Sequence, residues 1–182
     1  MNLRRLGVGA VTAAVFAAGL WAGIGSAGWL SADASPIAFT AALGTAKEVP
    51  RPQGVNATAG GSFAAGLVRR GSGGTLAWKL TFRGLTGKAV AAHIHRGKPG
   101  TAGPVVVPLC GPCRSGARGS AKLNGRTVTA LLGGLGYVNV HTARNPAGEI
   151  RGQVRRGGKA VTPPTTTTGT TTTTYTEPPP YP

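Results

Sequence analysis

Tyr137-Val138-Asn139-Val140-His141-Thr142 runs through Asn145-Pro146-Ala147-Gly148 into Glu149-Ile150-Arg151-Gly152-Gln153-Val154, and the fold can be read outward from this stretch. Polar and apolar residues alternate on both sides of a cluster of turn formers, the pattern of a half-buried hairpin. Side chains alternate faces along a strand, so Val138 and Val140 share the core face with Ile150 and Val154. Asn139, His141, Glu149, Arg151 and Gln153 then gather on the opposite, polar face.

The same alternation governs Ala92-His93-Ile94-His95-Arg96-Gly97, where His93 and His95 share one face and Ile94 takes the other. The chain has only three histidines and four acids, so these two motifs hold all of its imidazoles. If the strand of His93 and His95 lies beside the hairpin with Ile94 turned to the core, the three histidines meet Asn139, Glu149 and Arg151 on one face.

Short apolar runs separated by Gly, Pro, Asn and Ser predict further strands near Ile37–Leu43, Gly61–Arg69, Thr75–Phe82, Val90–His95, Val105–Pro108 and Gly119–Leu123. With Tyr137–Thr142 and Glu149–Val154 they make an all-β domain, an antiparallel sandwich or barrel. Asn124 is placed to cap one short helix near 124–132 that ends at Gly133-Gly134. No long helical segments separate the strands, which argues against a parallel α/β fold.

The ends have a different composition. Arg4-Arg5 precedes an uncharged apolar run from Leu6 to about Leu30, and Ala32-Asp33-Ala34 fits a cleavage site, so residues 1–34 read as a secretory signal peptide. The alternative is an uncleaved N-terminal membrane anchor, which would be the chain's only route into a membrane. No cysteine lies near that site, which argues against a lipoprotein. Residues 157–182 are rich in Thr and Pro and are expected to be a disordered tail, a surface stalk or spacer. Asn56-Ala57-Thr58 fits an N-glycosylation sequon. One folded domain, residues 35–156, lies between the ends.

Lysine and arginine number 20, for a formal charge of +16, and Glu48 and Glu149 are the only acids between Ile37 and Lys159. Such a charge favours anionic partners, and for an exported protein these are envelope polymers or another surface protein. The cations are scattered and lack the aromatic interleaving of RNA-binding strands, so specific nucleic-acid binding is not expected. Cys110-Gly111-Pro112-Cys113 reads as a local disulfide, because the Gly-Pro pair turns the chain and an exported protein is oxidised.

Several of these motifs resemble the CHRD domain, the module first described in chordin and found in many bacterial exported proteins. They are Ala92–Gly97, Gly103-Pro104-Val105-Val106-Val107-Pro108-Leu109, Tyr137–Thr142, Asn145-Pro146 and Gly148–Gln153, with an opening Ala42-Leu43-Gly44-Thr45-Ala46-Lys47-Glu48-Val49-Pro50. The resemblance spans roughly residues 38 to 155 and implies an all-β fold, immunoglobulin-like or barrel-like. It implies little about mechanism; in chordin such modules belong to a binding protein and not to an enzyme. His-x-His on a barrel strand is also similar to the copper ligands of copper/zinc superoxide dismutases, which makes a superoxide-dismutase-like barrel the other expectation. A complete two-metal site of that kind cannot be assembled here, because the domain has no Asp between Ile37 and Lys159 and no fourth His.

Two functional expectations follow. The first is a non-catalytic, secreted or cell-surface binding module with a strongly basic surface. The second is a protein holding copper or zinc by His93, His95 and His141, with Asn139, Glu149 and Arg151 around them and Glu149 orienting His141. No nucleophile or paired carboxylates accompany the histidines, so a catalytic assignment is not made.

Overall fold

From Ile37 the buried positions fall at every second residue, Phe39, Ala41 and Leu43, and this period of two sets one side of the chain against the core. The computed structural model describes residues 35–162; the expected leader and the Thr/Pro tail beyond Thr162 lie outside the described residues. The strands are β1 Ile37–Gly44, β2 Gly60–Arg70, β3 Gly73–Arg83, β4 Ala89–Arg96, β5 Val105–Cys110, β6 Ala117–Leu123, β7 Gly136–Thr142, β8 Ile150–Gln153 and β9 Arg155–Arg156. A 3₁₀ turn, Thr45–Lys47, follows β1, and one helix, α1 Gly125–Leu132, precedes β7.

All pairings are antiparallel, in the order β5-β4-β7-β8-β1-β2-β3-β6, with β9 also on β1. The end strands β5 and β6 approach each other without pairing, so the sheet curls into a nearly closed barrel. Phe63, Leu67, Leu76, Leu80, Ile94, Val138, Val140 and Ile150 are among the side chains that fill it, each at most 1% exposed. Burying a large apolar side chain of this kind stabilises by about 1.5–3 kcal/mol.

The helix forms where expected. The Asn124 side chain accepts a hydrogen bond from Thr127 N at 2.9 Å, and Thr127, Val128, Ala130 and Leu131 make its buried face. Cys110 and Cys113 form the disulfide, with Cα atoms 5.2 Å apart. Among the described residues no helix is long and apolar enough to cross a membrane.

The hairpin departs from expectation in two respects. Every residue of β7 is buried, so its second face is covered and not solvated. The cover is the segment after β4: Arg151 Nη2 donates to Lys98 O (3.1 Å) and Thr101 O (2.9 Å), and Gln153 Nε2 to Gly97 O (2.9 Å). Secondly, β8 begins at Ile150 and leaves Glu149 in the turn, because the ladder ends at Val140↔Ile150.

Candidate metal centre

Register decides which side chains meet. β4 and β7 pair with His93 opposite Asn139, His95 opposite Tyr137, and Ala91 opposite His141. On the other side of β7, Asn139 faces Arg151 and Tyr137 faces Gln153. Residues directly opposite share a face, so the three histidines, Asn139, Tyr137 and Arg151 lie together on the outer face of the barrel wall. Beneath them Ile94, Val138 and Val140 are fully buried in the barrel.

The imidazoles are 4% (His93), 9% (His95) and 4% (His141) exposed, and one ligand atom from each lies within 4.8 Å of the others. His95 Nδ1 is 2.8 Å from the Gly103 carbonyl, and His141 Nδ1 is 2.8 Å from the Pro146 carbonyl. A carbonyl only accepts, so both rings are the Nδ1–H tautomer, with the lone pair on Nε2. His93 Nδ1 lies 3.2 Å from His141 Nε2 and donates to it. Once the His93 proton moves to its Nε2, the same separation matches the spacing of about 3.3 Å between two nitrogens bound tetrahedrally at zinc-nitrogen distances.

The rings are neutral at neutral pH. His93 is pushed down to about 4, first by burial and then by the neighbouring His141 and His95. Burial also lowers His95, with Arg151 adding to it against the Gly103 carbonyl and Asn139. In His141 burial outweighs the Pro146 carbonyl and pushes it the same way. Neutral imidazole is the metal-binding form. It also has a cost for folding: below about pH 6.5 the unfolded chain takes up protons that the folded chain resists, in the case of His93 until near pH 4. The metal-free domain is therefore expected to lose stability as pH falls from 6.5 to 4, on the order of a few kcal/mol for His93. Glu48 opposes this, since its carboxyl is raised to about 7 and is easier to protonate folded than unfolded. With three groups against one, the melting temperature should fall across this range, and a rise on acidification would contradict the buried neutral cluster.

Glu48 enters this face from the 3₁₀ turn and is 3% exposed. Burial raises its carboxyl, against the Val49 amide, Arg151 and Asn139. The sequence does not mark it as a site residue beyond its place in the family motif and its scarcity, as one of two acids in a domain dense with cations. Tyr137 ties the face together. Its ring stacks on His95 at 4.9 Å with planes 10° apart, and the Arg151 guanidinium carbon sits 3.4 Å above its centroid. Its hydroxyl accepts from Gly103 N at 3.0 Å.

Glu149 has a different role from the one expected. Its carboxylate accepts from Thr86 N (2.7 Å), Thr86 Oγ1 (2.5 Å), Thr142 Oγ1 (2.6 Å) and Asn145 Nδ2 (3.2 Å). Burial works to raise it, but the hydrogen bonds from Thr142, Thr86 and Asn145 win and hold it below the usual carboxylate range. It is a clasp between the β3–β4 loop and the hairpin. The carbonyl of Pro146 orients the His141 ring instead, because Glu149 lies in the turn and not on the strand.

Four buried side-chain atoms make no well-formed hydrogen bond among the described residues, although Asn139 lies close enough to Glu48 and His95 to act weakly on both: Glu48 Oε2, His95 Nε2, Asn139 Oδ1 and Arg151 Nη1. All four belong to this face. Leaving one such atom unsatisfied costs about 1–3 kcal/mol, so their concentration in one place marks a site built to receive something.

Compared with known families, residues 39–154 match the CHRD domain. No curated protein and no solved structure matches the chain.

Proposed function

This chain belongs to the CHRD domain family, and we propose that its domain is an exported, non-catalytic module that binds one copper or zinc ion through His93, His95 and His141. The observation that carries the reading is the convergence of three buried, neutral imidazoles with their ligand atoms inside 4.8 Å. A purely structural role would satisfy every ring nitrogen, whereas buried His95 Nε2 makes no well-formed hydrogen bond and has only the Asn139 side chain beside it. The donor set suits the ion, since imidazole is a good ligand for both zinc and copper. The backbone carbonyls at His95 and His141 do the orienting that metal-ligating histidines ordinarily receive. With three protein ligands one position stays open for an exogenous group.

Titration of the purified protein with Cu(II) and Zn(II) by calorimetry tests this. One ion per chain with submicromolar affinity is expected, and so is little proton release from the histidines at pH 7, because they are already neutral. Repeating the titration in buffers of different ionisation enthalpy measures that release. Binding weaker than millimolar for both ions would overturn the assignment.

A second, compatible reading rests on a separate observation. Both acids of the described domain are buried, Glu48 at 3% and Glu149 at 0% exposure, so its described surface carries cations and no carboxylate side chain. We propose that this surface meets anionic envelope polymer at or outside the cell surface. Pull-down on isolated cell wall should weaken steeply between low and physiological salt; binding indifferent to salt would rule out the electrostatic mode.

A further inference from the structure

The unpartnered atoms on the histidine face come from four separate segments and have complementary chemistry. Arg151 Nη1 is a donor. Asn139 Oδ1 and, when ionised, Glu48 Oε2 are acceptors. His95 Nε2 offers a lone pair, since its Nδ1–H is committed to Gly103. The Arg151 charge favours the ionised form of Glu48, yet no hydrogen bond joins their two free atoms. Asn139 neighbours both Glu48 and His95.

The groups are also held in place. Arg151 lies on the Tyr137 ring, and its Nη2 is spent on Lys98 O and Thr101 O, so Nη1 is the part left over. The other carboxylate oxygen of Glu48 accepts from Val49 N at 3.1 Å, leaving Oε2. Gly148 closes the back with φ +132°, and a Cβ there would strike Glu48 Oε2 and Asn139 Nδ2. The chain thus keeps a glycine where any side chain would push into the group.

We propose that Glu48, Asn139 and Arg151 line a binding lobe beside His95 for a small hydroxyl-bearing oxygen ligand, of which water is the smallest, and that this lobe serves the open position of the bound ion. A water molecule has two hydrogens, for Glu48 and Asn139, and two lone pairs, one for Arg151 and one for the ion. A ligand without hydrogens cannot satisfy the two acceptors. The lobe therefore discriminates between exogenous ligands by their hydrogen-bonding pattern. The role at the ion rests on the metal-binding reading; occupancy of the lobe by an oxygen ligand does not.

Two measurements test it separately. A high-resolution crystal structure of the metal-free protein should show an ordered oxygen within hydrogen-bond distance of Glu48 Oε2, Asn139 Oδ1 and Arg151 Nη1; a lobe without one overturns the proposal whether or not the protein binds metal. In the Cu(II)-loaded protein at about pH 8.5, where Glu48 is ionised, azide, which carries no hydrogen, is titrated by its charge-transfer absorption. Glu48→Gln replaces an acceptor with a donor and should tighten azide at least tenfold, whereas Lys47→Gln, an exposed charge nearby, should change it less than twofold. Equal affinities in the parent and Glu48→Gln would overturn the role at the ion. If copper does not bind at all, the metal reading fails and the crystal structure alone decides the lobe.

Discussion

Replacing His141 with alanine is expected to lower Cu(II) affinity at least about 100-fold, on the order of 3 kcal/mol, and His93→Ala and His95→Ala should do the same. Each substitution removes one of three ligands that the β4–β7 register brings together, and two ligands hold the ion far more weakly than three. The alternative, three histidines that merely hydrogen-bond in a covered layer, predicts a different outcome. Any copper would then bind at scattered surface groups, and the three variants would match the parent within threefold. Because His141 also anchors the turn through Pro146, melting curves of the metal-free variants are needed beside the titrations. His141→Gln provides a control, since its amide can still donate to that carbonyl while offering a poor ligand. Lost copper binding with a retained fold in His141→Gln would attribute the loss to ligation.

The largest stability effect is expected at Glu149. Glu149→Ala should destabilise the domain by about 3–5 kcal/mol, because one truncation orphans the Thr86 amide, two hydroxyls and the Asn145 amide in a buried setting. Urea unfolding at pH 7 measures it, with the midpoint expected to fall sharply and the slope to stay the same. Thr142→Val removes one of these donors and should cost about 1 kcal/mol. The clasp also has a pH signature. The carboxyl is depressed in the fold, so its contribution is complete above the unfolded value near 4.5 and fades as pH falls further. A midpoint unmoved by Glu149→Ala would show that the hairpin does not depend on the carboxylate.

Alternation made most of the architecture legible. Val138, Val140, Ile150 and Val154 belong to the core as their spacing requires, and Asn124 caps the short helix. The face shared by His93 and His95 could also be read, because strand geometry leaves no choice once Ile94 is assigned to the core. Other features could not. Alternation predicts a half-buried polar face, but Lys98, Thr101 and Gly103 fold back over it, an outcome of long-range contacts that leave no periodic trace. Glu149 was expected to act with His141, but a strand that starts one residue later leaves it in the turn, where Thr86 and Thr142 claim it. Glu48 comes from a separate segment of the chain and reaches the site only through the curl of β1 beside β8.

By itself, then, the sequence determined the identity of the faces, the all-β class and the residue types available for chemistry, because these follow from side-chain alternation and composition. Tertiary structure alone decided that the histidines are buried and neutral, that backbone carbonyls orient two of them, and that Glu48 joins Asn139 and Arg151 at their side. Burial, tautomer and charge state depend on what packs over a residue, and that cover is supplied by segments distant in the chain.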